Sequence, residues 1–114
     1  MNLPERDAAF LKHILESIEL IEEYMKNVSK EEFDNNRQLQ DSVVRRFEII
    51  GEACRLVSED LKKQFPEILL REATDMRNVL IHAYFGIDYE IIWNTIKIEL
   101  PILKKQIARL ITPV

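Results

Sequence analysis

The chain has 114 residues, 46% of them hydrophobic and 32% charged, with only two glycines and four prolines, which is enough for one domain and the wrong composition for disorder. Its formal charge of -4 argues against broad, nonspecific nucleic-acid binding, which needs a basic face, so any RNA contact has to be local. The single Cys54 cannot close an internal disulfide, no charged start followed by an apolar core suggests secretion, and no apolar run approaches the ~20 residues that cross a bilayer, so the expectation is a soluble, cytoplasmic protein with no membrane attachment.

Phe10, Ile14, Ile18, Ile21 and Met25 recur at helical steps, broadened by Leu11 and Leu15. They predict an amphipathic helix from about Pro4 or Glu5 to Lys26, with Pro4 tolerated in a first turn that has no partner for an N–H. Ser29-Lys30-Glu31-Glu32 has the spacing of a capping box and predicts a short helical turn, which Asn35-Asn36 separates from the next helix. From Leu39 through Val43, Phe47, Ile50, Cys54 and Val57 to Leu61 the apolar spacing continues without interruption, wide enough for a central helix touched on two sides. Phe65-Pro66 should end it, because the residue before proline disfavours helix. A further helix is expected from roughly Glu67 to Tyr84, stopping near Gly86, a residue suited to a left-handed cap. Asp88 is a good N-cap for the last helix, whose stripe of Ile92, Ile96, Leu100, Leu103, Ile107 and Leu110 is interrupted by Pro101. An interior proline costs about 3 kcal/mol, so a kink or break is expected near Lys97 to Leu100. No window alternates as a strand does. The expected fold class is all-α: a single domain over residues 1–114, built as an up-down bundle of four main helices with short additional helical turns.

The chemistry concentrates in Met76-Arg77-Asn78-Val79-Leu80-Ile81-His82-Ala83-Tyr84-Phe85-Gly86, which holds one of the two histidines. Arginine binds phosphate oxygens as a permanent planar cation, histidine exchanges protons near neutral pH, and asparagine orients either partner, which are the groups that metal-free phosphate chemistry needs. On an ideal helix Asn78 and His82 share a face, as do Arg77 and Tyr84, whereas Arg77 and His82 lie about 140° apart. One straight helix does not easily bring arginine and histidine together, but a second copy across a two-fold axis could. Plainer readings stand beside these: Arg77 as a surface cation paired with Asp75 or Glu72, His82 as a hydrogen-bonded histidine among apolar residues, Asn78 as an exposed amide, and Tyr84 as a packing aromatic like Tyr24 or Tyr89. Glu48 and Glu52, four residues apart, read either as orienting groups for Arg77 or as helix-surface charges. No Glu-x-x-His unit completes a ferritin-like set, so neither a metal nor another cofactor is expected. His13 reads as a partly exposed helix residue, Cys54 as a small core residue, and Trp93 as packing for the last helix. Arg45-Arg46, Lys62-Lys63 and Lys104-Lys105 are dispersed and read as solvated faces, with an RNA-guiding role if pairing of two copies aligns them.

Arg77, four residues, His82, one residue, Tyr84 resembles the signature of HEPN-type ribonuclease toxins, and the flanking blocks are similar to the HepT-like branch of that superfamily. Arg46-Phe47-Glu48-Ile49-Ile50-Gly51-Glu52-Ala53 resembles the family's second-helix segment, Met76-Arg77-Asn78 the opening of its motif helix, and Ile87-Asp88-Tyr89-Glu90-Ile91-Ile92-Trp93 the start of its last long helix. The resemblance covers nearly the whole chain and departs from it after Pro66, where Glu67-Ile68-Leu69-Leu70-Arg71 stands in place of a segment that often carries tryptophan. It implies the toxin component of a type II toxin-antitoxin system: a homodimeric, metal-independent endoribonuclease whose composite active site contains Arg77 and His82 from both subunits, supported by Asn78 and Glu48. It further implies RNA as substrate and, as partner, a minimal nucleotidyltransferase antitoxin that silences the toxin by adenylylating Tyr84. A reading from another class is a noncatalytic helical subunit, regulatory or substrate-binding, of a nucleotidyltransferase complex, in which Arg77 and His82 hold phosphate without cutting RNA.

Overall fold

Leu11, Ile14, Ile18 and Ile21 have no exposed surface, and their steps of three and four residues put them on one face of a helix. In the computed structural model, which describes residues 3–83 and 86–112, that helix is α1 (Glu5–Tyr24). Each such burial contributes about 1.5–3 kcal/mol. Asn27, at φ +60°, turns the chain after it. The Ser29–Glu32 capping box is complete and opens α2 (Lys30–Asp34). That short helix is held by its one buried side chain, Phe33, whose ring lies 5.8 Å from Trp93 and 6.2 Å from Tyr89. The buried Gln40 amide donates to the carbonyls of Phe33 and Asp34 at 3.0 and 3.1 Å, satisfying the end of α2 from the next helix.

The central helix differs from expectation. It runs as α3 (Arg37–Leu56), breaks at Val57, whose ψ is 142°, and resumes as α4 (Glu59–Gln64). The apolar period continues across the break, but a polar contact overrides it. Asp7, on α1 and 2% exposed, accepts from the Ser58 N–H at 2.9 Å and from its hydroxyl at 2.6 Å. The Ser58 N–H is thereby spent on the carboxylate, while the same hydroxyl accepts from Leu61 N–H at 3.2 Å and caps α4.

Helix α5 (Leu70–Ile81) is shorter at both ends than the Glu67–Tyr84 expectation. At its start, Gln106 of the last helix donates to the Glu67 carbonyl at 2.9 Å and accepts from the Leu69 N–H at 3.0 Å, so these groups are engaged outside the helix. At its end, β-branched Val79 and Ile81 weaken helix continuation, a bond of 3.4 Å from the Ala83 N–H to the Leu80 carbonyl tightens the last turn, and His82 becomes the C-cap. Gly86 has the expected positive φ, 113°, but in the loop beyond this end. Asp88 caps α6 (Tyr89–Lys97) through the Glu90 and Ile91 N–H groups, and the anticipated break before Pro101 falls at Ile98, followed by α7 (Glu99–Ile111).

Helix α3 packs against both α1 and α5, α7 lies along α1 and α6, and α2 closes over α3. The fold is an all-α, HEPN-like bundle, its four main layers being α1, α3, α5 and the broken α6–α7 unit, with no strand among the described residues. No helix among those residues is long and apolar enough to cross a membrane. Helices α3 and α5 approach closely at Gly51 of α3: a Cβ there would overlap the Arg77 Cβ and come within 2.8 Å of the Ala73 carbonyl oxygen. Gly51→Ala is therefore expected to push α5 away from α3 and destabilise the fold by about 1–3 kcal/mol, as overpacked cores do. Thermal unfolding followed by circular dichroism measures this; an unchanged Tm would show that α5 can retreat without loss.

Candidate active site on helices α3 and α5

Arg77 leaves α5 where Gly51 lets the two helices come close, so its side chain lies along α3 instead of projecting into solvent. Only 26% exposed, it reaches Glu52 at 3.3 Å, and a second guanidinium nitrogen donates to the Asn78 side-chain oxygen at 3.0 Å. Glu52 also accepts two bonds from Arg55, at 2.7 and 3.2 Å. Arg55's hydrogen bond, with the charges of Arg55 and Arg77 behind it, holds the Glu52 carboxyl below the usual carboxylate range. The sequence offered Asp75 and Glu72 as partners for Arg77 and left the roles of Glu48 and Glu52 open; the ion pair is with Glu52. Glu48 stands on the wall of the same cleft, a depression of about 310 Å³ between α1, α3 and α5 that is also lined by Phe10, His13, Arg45 and Arg77.

His13 is the residue that sequence reading passed over. It is exposed on α1, as expected, yet shares the cleft with Arg77. No signal in the chain announces this, because α1 and α5 are brought to one cleft by their common packing on α3. His82 lies elsewhere. As the exposed C-cap of α5 it opens into a separate cleft of about 360 Å³ with Met76, Val79, Asp88 and Ile91. The divergence expected of an ideal helix is thus realised: Arg77 turns toward α3 and His82 toward α6. Tyr84 lies outside the described residues. Cys54 is fully buried, and burial pushes its thiol up to about 12, which leaves it as core packing. Among the described residues no three His, Cys, Asp or Glu side chains are grouped as a metal site.

Beside this geometry, the family model described as "Ribonuclease HepT-like" matches residues 14–110. A protein of Thermococcus cleftensis named "Probable ribonuclease HepT" is 44% identical over 101 residues, 89% of this chain and 92% of that one. A Methanocaldococcus jannaschii protein named "Putative RNase" is 43% identical over 110 residues, covering 96% of this chain and 91% of the relative. Another protein so named, from Caldanaerobacter subterraneus, is 38% identical over 102 residues, 90% and 91% of the two chains. No solved structure gives a match.

The lowered Glu52 carboxyl fixes the sign of a pH effect. The Glu52–Arg77 pair is fully present above the ordinary carboxylate range and is lost as pH falls through the lowered value. Because Arg55 supplies the largest part of the lowering, Arg55→Gln should raise the Glu52 midpoint toward the ordinary range. Carboxyl-carbon NMR titration reads this directly, and an unmoved midpoint would contradict it.

Proposed function

The chain belongs to the HepT-like ribonuclease family, and from that premise we propose that it is a metal-independent endoribonuclease, the toxin of a type II toxin-antitoxin system, which cuts RNA as a homodimer. The composite site contains Arg77 and His82 from both copies, the guanidinium of one working with the imidazole of the other. The observation that carries this reading is the separation of the two groups: within one chain Arg77 and His82 open into different clefts on different sides of α5. A two-fold axis beside α5 would set the arginine of one copy near the histidine of the next. Large apolar side chains flank that face, with Val79 63%, Ile91 51% and Ile81 38% exposed, and a second copy would cover them.

RNA brings its own nucleophile, the 2'-hydroxyl, whose attack forms a bond to phosphorus while the bond to the 5'-oxygen breaks. His82 moves a proton, from the attacking hydroxyl or to the leaving oxygen. Arg77 neutralises the charge that grows on the phosphoryl oxygens. Asn78 is already bonded to the guanidinium and fixes its plane, while Glu48, on the cleft wall, supports the same group from α3. The products are a 2',3'-cyclic phosphate and a 5'-hydroxyl. A minimal nucleotidyltransferase antitoxin would silence the site by adenylylating Tyr84, two residues beyond His82, since a bulky charged phosphate beside the cleft blocks RNA sterically and by repulsion.

With a chelator present, the wild-type protein is expected to cut RNA and leave cyclic phosphate ends, and Arg77→Ala and His82→Ala should each lower the rate at least ~100-fold with helicity and dimerisation intact. A folded, dimeric His82→Ala protein that cuts at the wild-type rate would contradict the catalytic role, and a wild-type protein that binds phosphate through Arg77 but cuts no RNA would favour the noncatalytic subunit. Val79→Asp, placing a charge on the exposed α5 face, should give a folded monomer without cleavage, as read by light scattering. Tyr84→Phe should keep much of the activity and escape neutralisation on co-expression with the nucleotidyltransferase. Mass spectrometry that finds nucleotide on another residue would overturn that assignment.

A further inference from the structure

A cleft of about 450 Å³ between α4 and the start of α5 is distinct from the Arg77 and His82 clefts, and its charge is out of keeping with the rest of the molecule. Arg55, Lys62 and Arg71 line it against a single carboxylate, Glu72, in a chain whose net charge is -4. Two of the cations are fixed in place by polar contacts, Arg55 by Glu52 and Lys62 by the main chain. The Lys62 ammonium donates to the Arg55 carbonyl oxygen at 3.0 Å, closing the C-terminal end of α3, and its nearest carboxylate, Glu59, is 3.5 Å away and 78% exposed. Arg71 is exposed, and among the described residues it has no ion pair of its own. Phe65, half-buried at the end of α4, adds a ring to the same wall. Like charges fixed at a ligand-sized cleft beside an aromatic face form a seat for an anion that carries a planar group.

The cleft is also joined to Arg77. Arg55 is in its wall, and the same guanidinium binds Glu52, which in turn binds Arg77. Through Glu52, Arg55 thus links the wall of this cleft to the arginine of the cleavage site. Building on the RNA-cleaving function proposed above, we infer that the α4–α5 cleft is an RNA subsite flanking the cut, in which Arg55, Lys62 and Arg71 bind the phosphodiester backbone of a single strand and Phe65 stacks on a base. This reconciles an acidic protein with a polyanionic substrate, because the contact is confined to one basic track. Arg71 and Lys62 are binding residues that touch the strand away from the reacting phosphate, so their loss removes affinity equally from substrate and transition state.

The test is fluorescence anisotropy with a labelled single-stranded oligoribonucleotide, in a His82→Ala background that leaves the strand uncut, together with cleavage kinetics in the otherwise wild-type protein. Arg71→Gln should weaken binding several-fold, Lys62→Gln with Arg71→Gln about tenfold, and each lost cation should reduce the slope of log affinity against log salt by about 0.7. In cleavage the same variants should raise KM and leave kcat close to wild type. Lys26→Gln is the control: Asp7, near the start of α1, touches the α3–α4 junction, and α1 runs about 25 Å from there to its last residue, Tyr24, at 1.5 Å per residue, with Lys26 in the turn beyond it. It should bind as the parent does. If the wild type cuts RNA but the Arg71 and Lys62 variants bind it with the parent affinity and salt slope, the subsite is overturned and the nuclease reading stands. If the wild type neither binds nor cuts RNA, both are overturned.

Discussion

The close approach of α3 and α5 at Gly51 is the constraint on which the rest of the arrangement depends. Helices separated by ordinary side chains lie about 8–10 Å apart, and a site that must hold an arginine in a defined plane needs that arginine packed along its stem. Gly51 provides the room: with no side chain there, the Arg77 Cβ and the Ala73 carbonyl sit where a Cβ on α3 would be. The guanidinium is then carried across α3 to Glu52. Glu52 is itself fixed by two bonds from Arg55, one turn along the same helix. The ion pairs are partly exposed and contribute little to stability; their effect is to hold the direction of a charged group, while the buried face of α3 supplies the energy.

Two further polar contacts set the frame around this packing. Asp7 binds Ser58 and ends α3 one residue after Arg55, which frees α4 to form the wall of the basic cleft. Gln106 reaches from α7 to the loop before α5 and fixes where that helix begins. The helix has room for Arg77 on its inner side and His82 at its outer end, and it leaves Val79 between them in solvent. A single copy thus presents an arginine on one side of α5 and, on another, a histidine beside uncovered apolar side chains.

Much of this was legible in the chain. The Phe10-to-Met25 stripe, the Ser29 capping box, the Asp88 cap and the break before Pro101 are all local signals, carried by residues within a turn or two of one another, and each marks the element found. The motif and its flanking blocks pointed to the family for the same reason. What the chain did not disclose depends on contacts between distant residues. The interruption at Val57 cannot be read from an apolar period that continues through it, because its cause is Asp7 on another helix. The choice of Glu52 over Glu48 as partner of Arg77 turns on the depth of packing at Gly51, and the position of His13 beside Arg77 follows from α1 and α5 flanking a common neighbour.

Cooperation of arginine and histidine across a pair of chains is the central claim, and complementation between two inactive proteins tests it most directly. Arg77→Ala and His82→Ala chains, unfolded together and refolded at equal concentration, should regain cleavage that neither has alone. At random pairing about half the dimers are mixed and each holds one intact arginine–histidine set, so activity should approach about a quarter of the wild-type value. A refolded sample that contains mixed dimers by native mass spectrometry and remains as inactive as its components would contradict the claim.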